Sequence, residues 1–544
     1  MNGINVSQLK VLVADDSRLV CNSILLILRE IGFDSSNVVC AYRPNEVINH
    51  CKQIAFDIVI CDVNFNSQIN GYQLLEELHH LQLLKSDLFF AFLTGENQPQ
   101  IVRTIIDCNP DDYWLKPFNK PFLSARLYSG LKRKKALASV YAAIYAKQYQ
   151  QALEVCDELH PFHPQYGRHL GHLKAQCYAQ LGQYEDAAQQ YRALLDEYDC
   201  DSVKTALSKV LIEQEEIDMA RDVLSSLSNQ DNNPYYHDGM AAVCVRNDNI
   251  EGAIGHLKLA TNLLEAGTER ELILSNLSLA IAHYDDAFYY IKRYSEKNEN
   301  TYRQSEYITL NTVRSFLYRA VDEDKPAVFE AQRYLINGKL DELEKCRHLD
   351  VQVTLLHVHI HWLSQDMRSA VSLISELTVD KPLHFYDYFH WLYLLEHLSL
   401  FNDIPVLLQQ AKMAIRDEQI AHIKKSQHIM WANFESRFKD KQRQIQRVKS
   451  IMAQWNERDE KEGEKYLEQY ATLKALMPNS YKVSLAIIKL LANNRIRIRN
   501  YREVFNLLAD CHRVVHAQMS AQERNNSNYK KVYAMAKDNV MEYA

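Results

Sequence analysis

The first 130 residues alternate short apolar runs with amphipathic stretches. Five runs predict β-strands: Lys10–Ala14, Val38–Tyr42, Asp57–Cys61, Leu88–Leu93 and Asp112–Leu115. Segments such as Arg18–Ile31 and Gly71–Leu84 lie between them and predict helices. Continuously apolar strands that alternate with helices are typical of a parallel sheet covered on both faces. With right-handed crossovers, residues 1–130 are therefore predicted to form a doubly wound α/β domain with five parallel strands.

From residue 131 the apolar pattern becomes helical and repeats. Small residues recur at intervals of 33 to 35 residues, at Ala152, Ala187, Ala220, Ala253 and Ala287. Larger residues three before, four after and seven after each alanine lie on the same helical face. This spacing predicts about five helical hairpins over residues 131–300. The period blurs afterwards, so residues 301–544 are predicted to be degenerate repeats of the same kind.

The segment Gly182–Ala187 resembles the central motif of the tetratricopeptide repeat, whose period is about 34 residues. The resemblance implies an all-α superhelix of hairpins with a concave groove for a protein partner. Unrelated amphipathic helices that share a period by chance are the alternative.

The amino-acid composition excludes several classes of protein. Glycine and proline, 14 and 12 of 544 residues, are too scarce for a turn-rich all-β protein. The formal charge of −7 gives no general attraction to nucleic acid or acidic lipid. The N-terminus lacks a signal-peptide pattern, no apolar run reaches about 18 residues, and the eleven cysteines are scattered. We therefore expect a cytoplasmic protein with no membrane span and with reduced thiols.

Polar residues stand at the carboxyl ends of the predicted strands. Asp15 and Asp16 follow the first strand, and Asp62, Thr94 and Lys116 follow the third, fourth and fifth. Three carboxylates at one sheet edge repel one another unless Lys116 and a divalent cation compensate their charge. A carboxylate is also a possible nucleophile for phosphorus. The cluster therefore predicts Mg²⁺-assisted phosphoryl transfer to an aspartate.

These stretches resemble the response-regulator receiver domain of two-component signalling, a chemotaxis-type, flavodoxin-like fold: Val11–Ser17, Asp57–Asp62, Leu93–Gly95 and Tyr113–Phe118. The resemblance implies that Asp62 is the phosphoacceptor and that Asp16 binds Mg²⁺ directly. Asp15 would act mainly through water, and the backbone carbonyl of Asn64 would complete the protein ligands.

The resemblance also implies a switch. Thr94 and Lys116 would contact the phosphoryl group, and Tyr113 would turn inward when Thr94 engages it. A cis peptide before Pro117 would hold the Lys116 loop. The segment Val63–Gly71 departs from the family, because it lacks the usual Met-Pro pair and is one residue longer. Because this loop flanks Asp62, its departure bears on metal geometry and phosphate lifetime rather than on the identity of the acceptor.

Together these features predict a response regulator that is charged by a sensor histidine kinase or a phosphotransfer protein. Its output would be protein binding in the repeat groove, without a separate enzymatic domain. The alternatives are an inactive receiver, a phosphorylation-independent scaffold, and a nucleic-acid-binding regulator. The last would use the basic cluster Arg495, Arg497, Arg499 and Arg502, whose interleaved isoleucines favour a solvated surface instead.

A histidine triplet is the remaining candidate site. His357 and His361 are spaced i, i+4, which zinc can use, and His359 lies between them. No acidic partner or third ligand is apparent nearby in the sequence, so packed or surface histidines are predicted.

Overall fold

The computed structural model describes residues 5–95, 105, 109–264, 269–320, 326–378, 382–453, 463–493 and 500–542. The chain divides into two compact units. Unit 1 comprises Met1–Arg270 and Glu296–Gln304, and unit 2 comprises Glu271–Ser295 and Ser305–Ala544. Strands and helices carry numbers in chain order among the described residues. The predicted boundaries near residues 130 and 300 stay predictions.

Unit 1 begins with the predicted doubly wound domain, and its five-stranded parallel sheet is confirmed. The strand order is β2-β1-β3-β4-β5. The strands are β1 Val11–Ala14, β2 Val38–Ala41, β3 Ile58–Asp62, β4 Phe89–Thr94 and β5 Asp112–Leu115. The helices are α1 Arg18–Glu30, α2 Pro44–Gln53, α3 Gly71–His80 and α4 Lys120–Ala136. Because the chain leaves β1 toward β2 and returns to β3 on the other side, the order reverses at β1 and β3.

The apolar runs form strands because both faces of the sheet are covered. In β1, Leu12 and Ala14 pack into one buried cluster, whereas Val11 and Val13 pack into another on the opposite face. All four side chains are fully buried. Since burying an aliphatic side chain contributes about 1.5–3 kcal/mol, a two-sided core strongly favours continuous apolar strands. The polar residues are thereby confined to the strand ends.

Helices follow the sheet domain throughout the described part of the chain. In unit 1 and across its boundary they are α5 Ala138–Tyr145, α6 Tyr149–Leu159, α7 Gly167–Gln180, α8 Tyr184–Glu197, α9 Asp201–Glu213, α10 Ile217–Ser225, α11 Pro234–Arg246, α12 Ile250–Leu263, α13 Glu269–Ala280 and α14 Tyr284–Lys297. All five periodic alanines are fully buried. The residue three positions before each alanine begins its helix, at α6, α8, α10, α12 and α14. The period therefore coincides with one helical pair.

Unit 2 continues with α15 Glu306–Ala320, α16 Pro326–Gln332, α17 Tyr334–Leu343, α18 Asp350–Leu363, α19 Met367–Glu376, α20 Phe385–His397, α21 Ile404–Ala414, α22 Ala421–Met452, α23 Gly463–Leu476, α24 Tyr481–Asn493, α25 Tyr501–Gln518, α26 Ala521–Asn526 and α27 Tyr529–Met541. Its largest buried cluster surrounds α20, where aromatic residues predominate. No described helix has the length and apolar character that a membrane crossing requires. Of the basic cluster, Arg495, Arg497 and Arg499 lie outside the described residues.

The histidine triplet lies on α18, and its middle member is in the core. His359 is fully buried, with its Nδ1 3.0 Å from Nε2 of His390. The expectation that the triplet has no acidic partner nearby was wrong, because both outer histidines have one. His357 Nε2 lies 3.1 Å from Glu344 Oε1, and His361 Nδ1 lies 3.2 Å from Asp366 Oδ2. These are packed and surface histidines, as predicted.

We expect the buried pair His359 and His390 to make the stability of the protein depend on pH. Burial lowers the pKa of His359 and of His390 well below the ordinary value, and the nearby charges of His397 and Arg314 act in the same direction. The aromatic ring of Tyr393 also faces the pair. Both imidazoles are therefore neutral in the folded state but bind protons in the unfolded state below about pH 6.5.

The full stability is expected above that pH and is lost as the pH falls. The loss approaches about 1.4 kcal/mol per pH unit for each histidine. Urea midpoints measured between neutral and mildly acidic pH check this. His359→Phe/His390→Phe should flatten the dependence, and His348→Gln, which changes an exposed histidine, should not. Equal slopes for all three proteins would contradict the prediction.

Candidate functional site

The carboxyl ends of β1 and β3 bring three aspartates together. Asp15 and Asp16 directly follow β1, and Asp62 is the last residue of β3. Asp15 is fully buried and Asp62 is 5% exposed. The three side chains offer oxygen atoms that all lie within 4.8 Å of one another. In the described part of the chain, they are the one group of three or more residues that meets this criterion for a metal ion.

Lys116 bridges two of these carboxylates. Its Nζ lies 2.6 Å from Asp15 Oδ2 and 3.0 Å from Asp62 Oδ1. Burial alone would lower the pKa of Lys116, but the hydrogen bonds and charges of Asp15 and Asp62 raise it above its ordinary value. Burial raises the pKa of Asp62 to about 6, although the charge of Lys116 acts in the opposite direction. One ammonium therefore offsets only part of the negative charge.

Backbone and side-chain donors orient the carboxylates. Asp15 Oδ1 accepts from the amide of Ser17 at 2.9 Å, and Asp62 Oδ1 accepts from the amide of Val63 at 3.0 Å. Asp16 Oδ2 accepts from both the amide and the side-chain Nδ2 of Asn66, at 3.3 and 2.5 Å. Sequence reasoning missed Asn66. The feature of the sequence that could have indicated it is the polar, lengthened loop after Asp62.

The remaining predicted site residues lie around this cluster. Thr94 ends β4, is buried, and its carbonyl accepts from the amide of Lys116 at 2.7 Å. The Lys116–Pro117 peptide bond is cis. Tyr113 is half-buried on β5 and packs against the apolar cluster on one face of the sheet. Asn64 lies in the exposed part of the loop, two residues beyond Asp62.

Gly71 connects this site to α3. It is the first residue of α3, and a Cβ there would overlap the carbonyl oxygen of Asp62 and the Cα of Val63. Its amide donates to the carbonyl of Val63 at 2.8 Å. Helix α3 therefore begins in direct contact with the backbone of the central aspartate.

The donor set fits a hard divalent cation. Asp15, Asp16 and Asp62 supply carboxylate oxygens, which Mg²⁺ prefers, and Lys116 leaves net negative charge for it to offset. A bound Mg²⁺ would neutralise incoming phosphoryl oxygens. With an aspartate oxygen as the nucleophile, the arrangement is chemically suited to forming an aspartyl phosphate.

Comparisons with known proteins concern this domain. Residues 11–128 match the family model of the response regulator receiver domain, so this part of the chain is a receiver domain. Cell cycle response regulator CtrA of Brucella ovis is 29% identical over 130 residues, or 24% of this chain and 53% of that protein. CtrA of Brucella abortus (strain S19) gives the same values. The chain thus spans about half the length of the curated relatives it matches.

Solved receiver structures are also similar. A CheY-like receiver domain protein from Methanospirillum hungatei JF-1 is 22% identical, covering 24% of this chain and 98% of that chain, with a TM-score of 0.21. Chemotaxis response regulator CheY4 of Vibrio cholerae is 23% identical, covering 23% and 98%, with a TM-score of 0.20.

Proposed function

We propose that this protein is a cytoplasmic two-component response regulator that accepts a phosphoryl group on Asp62 with Mg²⁺ bound. The observation that carries the proposal is the position of Asp62 Oδ1, 3.0 Å from Lys116 Nζ and within the cluster of three carboxylates. Asp62 supplies a nucleophile, Asp15 and Asp16 supply metal ligands, and Lys116 supplies a cation for the transferred group.

The transfer exchanges one bond to phosphorus for another. A carboxylate oxygen of Asp62 forms a bond to the phosphorus of the donor, and the bond from phosphorus to the donor breaks. The electron pair of the broken bond leaves with the donor. Lys116 pairs with the phosphoryl oxygens, and the hydroxyl of Thr94 donates a hydrogen bond to one of them. Tyr113 then follows Thr94 inward.

The phosphodonor is proposed to be a sensor histidine kinase or a phosphotransfer protein that docks on α1. This helix begins two residues after Asp16, and its residues Leu19 and Leu26 are 80% and 57% exposed. The two leucines are spaced i, i+7 and share a helical face. An apolar stripe beside the acceptor would seat a donor helix within reach of Asp62.

The helical region is proposed to be a tetratricopeptide-type superhelix that binds a protein partner. Support comes from the periodic alanines, which are all fully buried, and from the helices that begin three residues before each of them. Stacked hairpins of this kind present a concave surface suited to a peptide or helix. The output is thus binding rather than catalysis.

Labelling by acetyl phosphate tests the proposal. The full-length protein should gain one phosphoryl group in Mg²⁺, seen as a mass shift, and lose the ability when EDTA removes the metal. Labelling that persists at the same level in EDTA, or no labelling in Mg²⁺, would contradict it. The scaffold alternative predicts that partner binding is the same with and without the phosphodonor.

A further inference from the structure

Within unit 1, the exposed side of α3 carries a segment from much later in the chain. We call residues 297–303 the returning segment. The carbonyl of Lys297 accepts from Gln73 Nε2 at 2.7 Å. The amide of Tyr302 donates to Glu77 Oε2 at 2.8 Å, and the Tyr302 ring stacks on His80 with centroids 4.0 Å apart. These contacts run along α3 from its first to its last turn.

Arg303 is the main ionic contact of this interface. Its guanidinium donates to Glu76 Oε2 at 2.5 Å and to Glu269 Oε1 at 2.7 Å, and its side chain is 13% exposed. Burial alone would lower the pKa of Arg303, but Glu269 and Glu76 raise it above its ordinary value. Without Arg303, the partly exposed carboxylates of Glu76 and Glu269 would repel each other. The arginine therefore holds the returning segment against α3.

The N-terminal end of α3 contacts the proposed phosphoacceptor, Asp62. Gly71 leaves no space between the start of α3 and the backbone of Asp62. The helix has 10 residues and is about 15 Å long. A shift of the Asp62 backbone would therefore reach Glu76, Glu77 and His80 through α3. The contacts at that end are short and directional, so a shift below 1 Å weakens them.

The direction of coupling follows from the space at the acceptor. With the returning segment bound to α3, Lys116 Nζ lies 3.0 Å from Asp62 Oδ1. A phosphoryl group on Asp62 adds volume and negative charge beside this contact and beside the backbone against which α3 begins. A shift of that backbone would displace α3, because the first residue of the helix is in direct contact with it.

We propose that the returning segment is an intramolecular latch on α3, which favours the unphosphorylated receiver and is released when Asp62 is phosphorylated. The proposal rests on the proposed function and adds its output route, through α3. Because coupling is reciprocal, weakening the latch makes the phosphorylated state more accessible by the same factor. Coupling between two sites is commonly about 5- to 150-fold.

The test uses the full-length protein with Mg²⁺ and BeF₃⁻, a stable mimic of the phosphoryl group. Hydrogen–deuterium exchange of peptides covering residues 296–304 is expected to rise when BeF₃⁻ binds. Arg303→Ala should show the raised exchange without BeF₃⁻ and should bind BeF₃⁻ about 5-fold more tightly or better. Tyr302→Ala, which leaves every charge in place, should change both readouts in the same direction.

Two variants provide controls. Arg221→Ala removes an arginine from an exposed ion pair with Asp218 elsewhere in unit 1 and should behave as wild type. Glu76→Ala/Arg303→Ala should exceed neither single variant by much, because both remove the same contact. Unchanged exchange on BeF₃⁻ binding, or equal affinities for Arg303→Ala and Arg221→Ala, would overturn the latch. Failure of every variant to bind BeF₃⁻ would instead overturn the proposed function on which it rests.

Discussion

Asp62→Asn is expected to reduce labelling by acetyl phosphate to background. The amide has nearly the same size as the carboxylate but lacks the anionic oxygen that attacks phosphorus. It also removes one of the two acidic partners of Lys116. The measurement is the fraction of intact protein that carries one added phosphoryl group after incubation with Mg²⁺. No other replacement in the receiver domain should have a larger effect.

Asp57→Asn is the matched control. Asp57 lies just before β3, at the opposite end of the strand, where it accepts from the amide of Lys10 and pairs with Lys85. The same chemical change there should leave labelling intact. Equal labelling of Asp62→Asn and Asp57→Asn would remove the acceptor role of Asp62.

Loss of labelling in Asp62→Asn would not reflect unfolding. Burial raises the pKa of Asp62 to about 6. The charged carboxylate is therefore less stable in the folded protein than it is in water. A neutral amide avoids that penalty while losing the contact with Lys116. We therefore expect the urea midpoint of the variant at neutral pH to equal or exceed that of the wild type.

Arg314→Met is expected to give the largest loss of stability, about 3–5 kcal/mol. Arg314 is 2% exposed on α15, and its guanidinium donates to Oδ1 of the fully buried Asp387 on α20. Asp387 Oδ2 also accepts from Gln352 Nε2 at 2.9 Å and from the amide of His384 at 3.1 Å. Methionine would leave the buried carboxylate without its counter-charge, which is costly where water cannot enter.

Urea unfolding followed by tryptophan fluorescence measures this loss, since Trp362, Trp391 and Trp431 lie in unit 2. Arg443→Met, which removes an exposed i, i+3 partner of Asp440, should lower stability by less than about 1 kcal/mol. Arg314→Met/Asp387→Leu should recover part of the loss, because both charges are then absent. A loss below about 1 kcal/mol in Arg314→Met would contradict the assigned role of the pair.

Most strand and helix positions in the receiver domain could be predicted from the amino-acid sequence. The predicted strand Asp57–Cys61 is observed as Ile58–Asp62, and the predicted helix Arg18–Ile31 is observed as Arg18–Glu30. Strands buried on both faces leave a strong local pattern, so their positions can be found without knowing their neighbours. The helix predicted over Gly71–Leu84 ends earlier, at His80. Helix ends depend on capping and on packing, which the apolar pattern does not report.

The candidate site also contains some residues that could be predicted from the sequence and others that could not. Asp15, Asp62 and Lys116 could be placed together because parallel strands end at one edge of a sheet. Asn66 was missed, since its position depends on the path of an irregular loop. Glu76 and Arg303 are separated by more than two hundred residues, and nothing in either local sequence indicates the other.

The amino-acid order alone thus determined which segments are strands or helices, where the polar residues cluster, and where the helical pairs repeat. Those properties follow from side-chain periodicity and topology, which are local or nearly so. Tertiary structure decided which distant segments and side chains meet: the returning segment with α3, His359 with His390, and Arg314 with Asp387. An amphipathic pattern specifies that a face is buried, but many apolar faces could cover it, and only packing of the whole chain selects one.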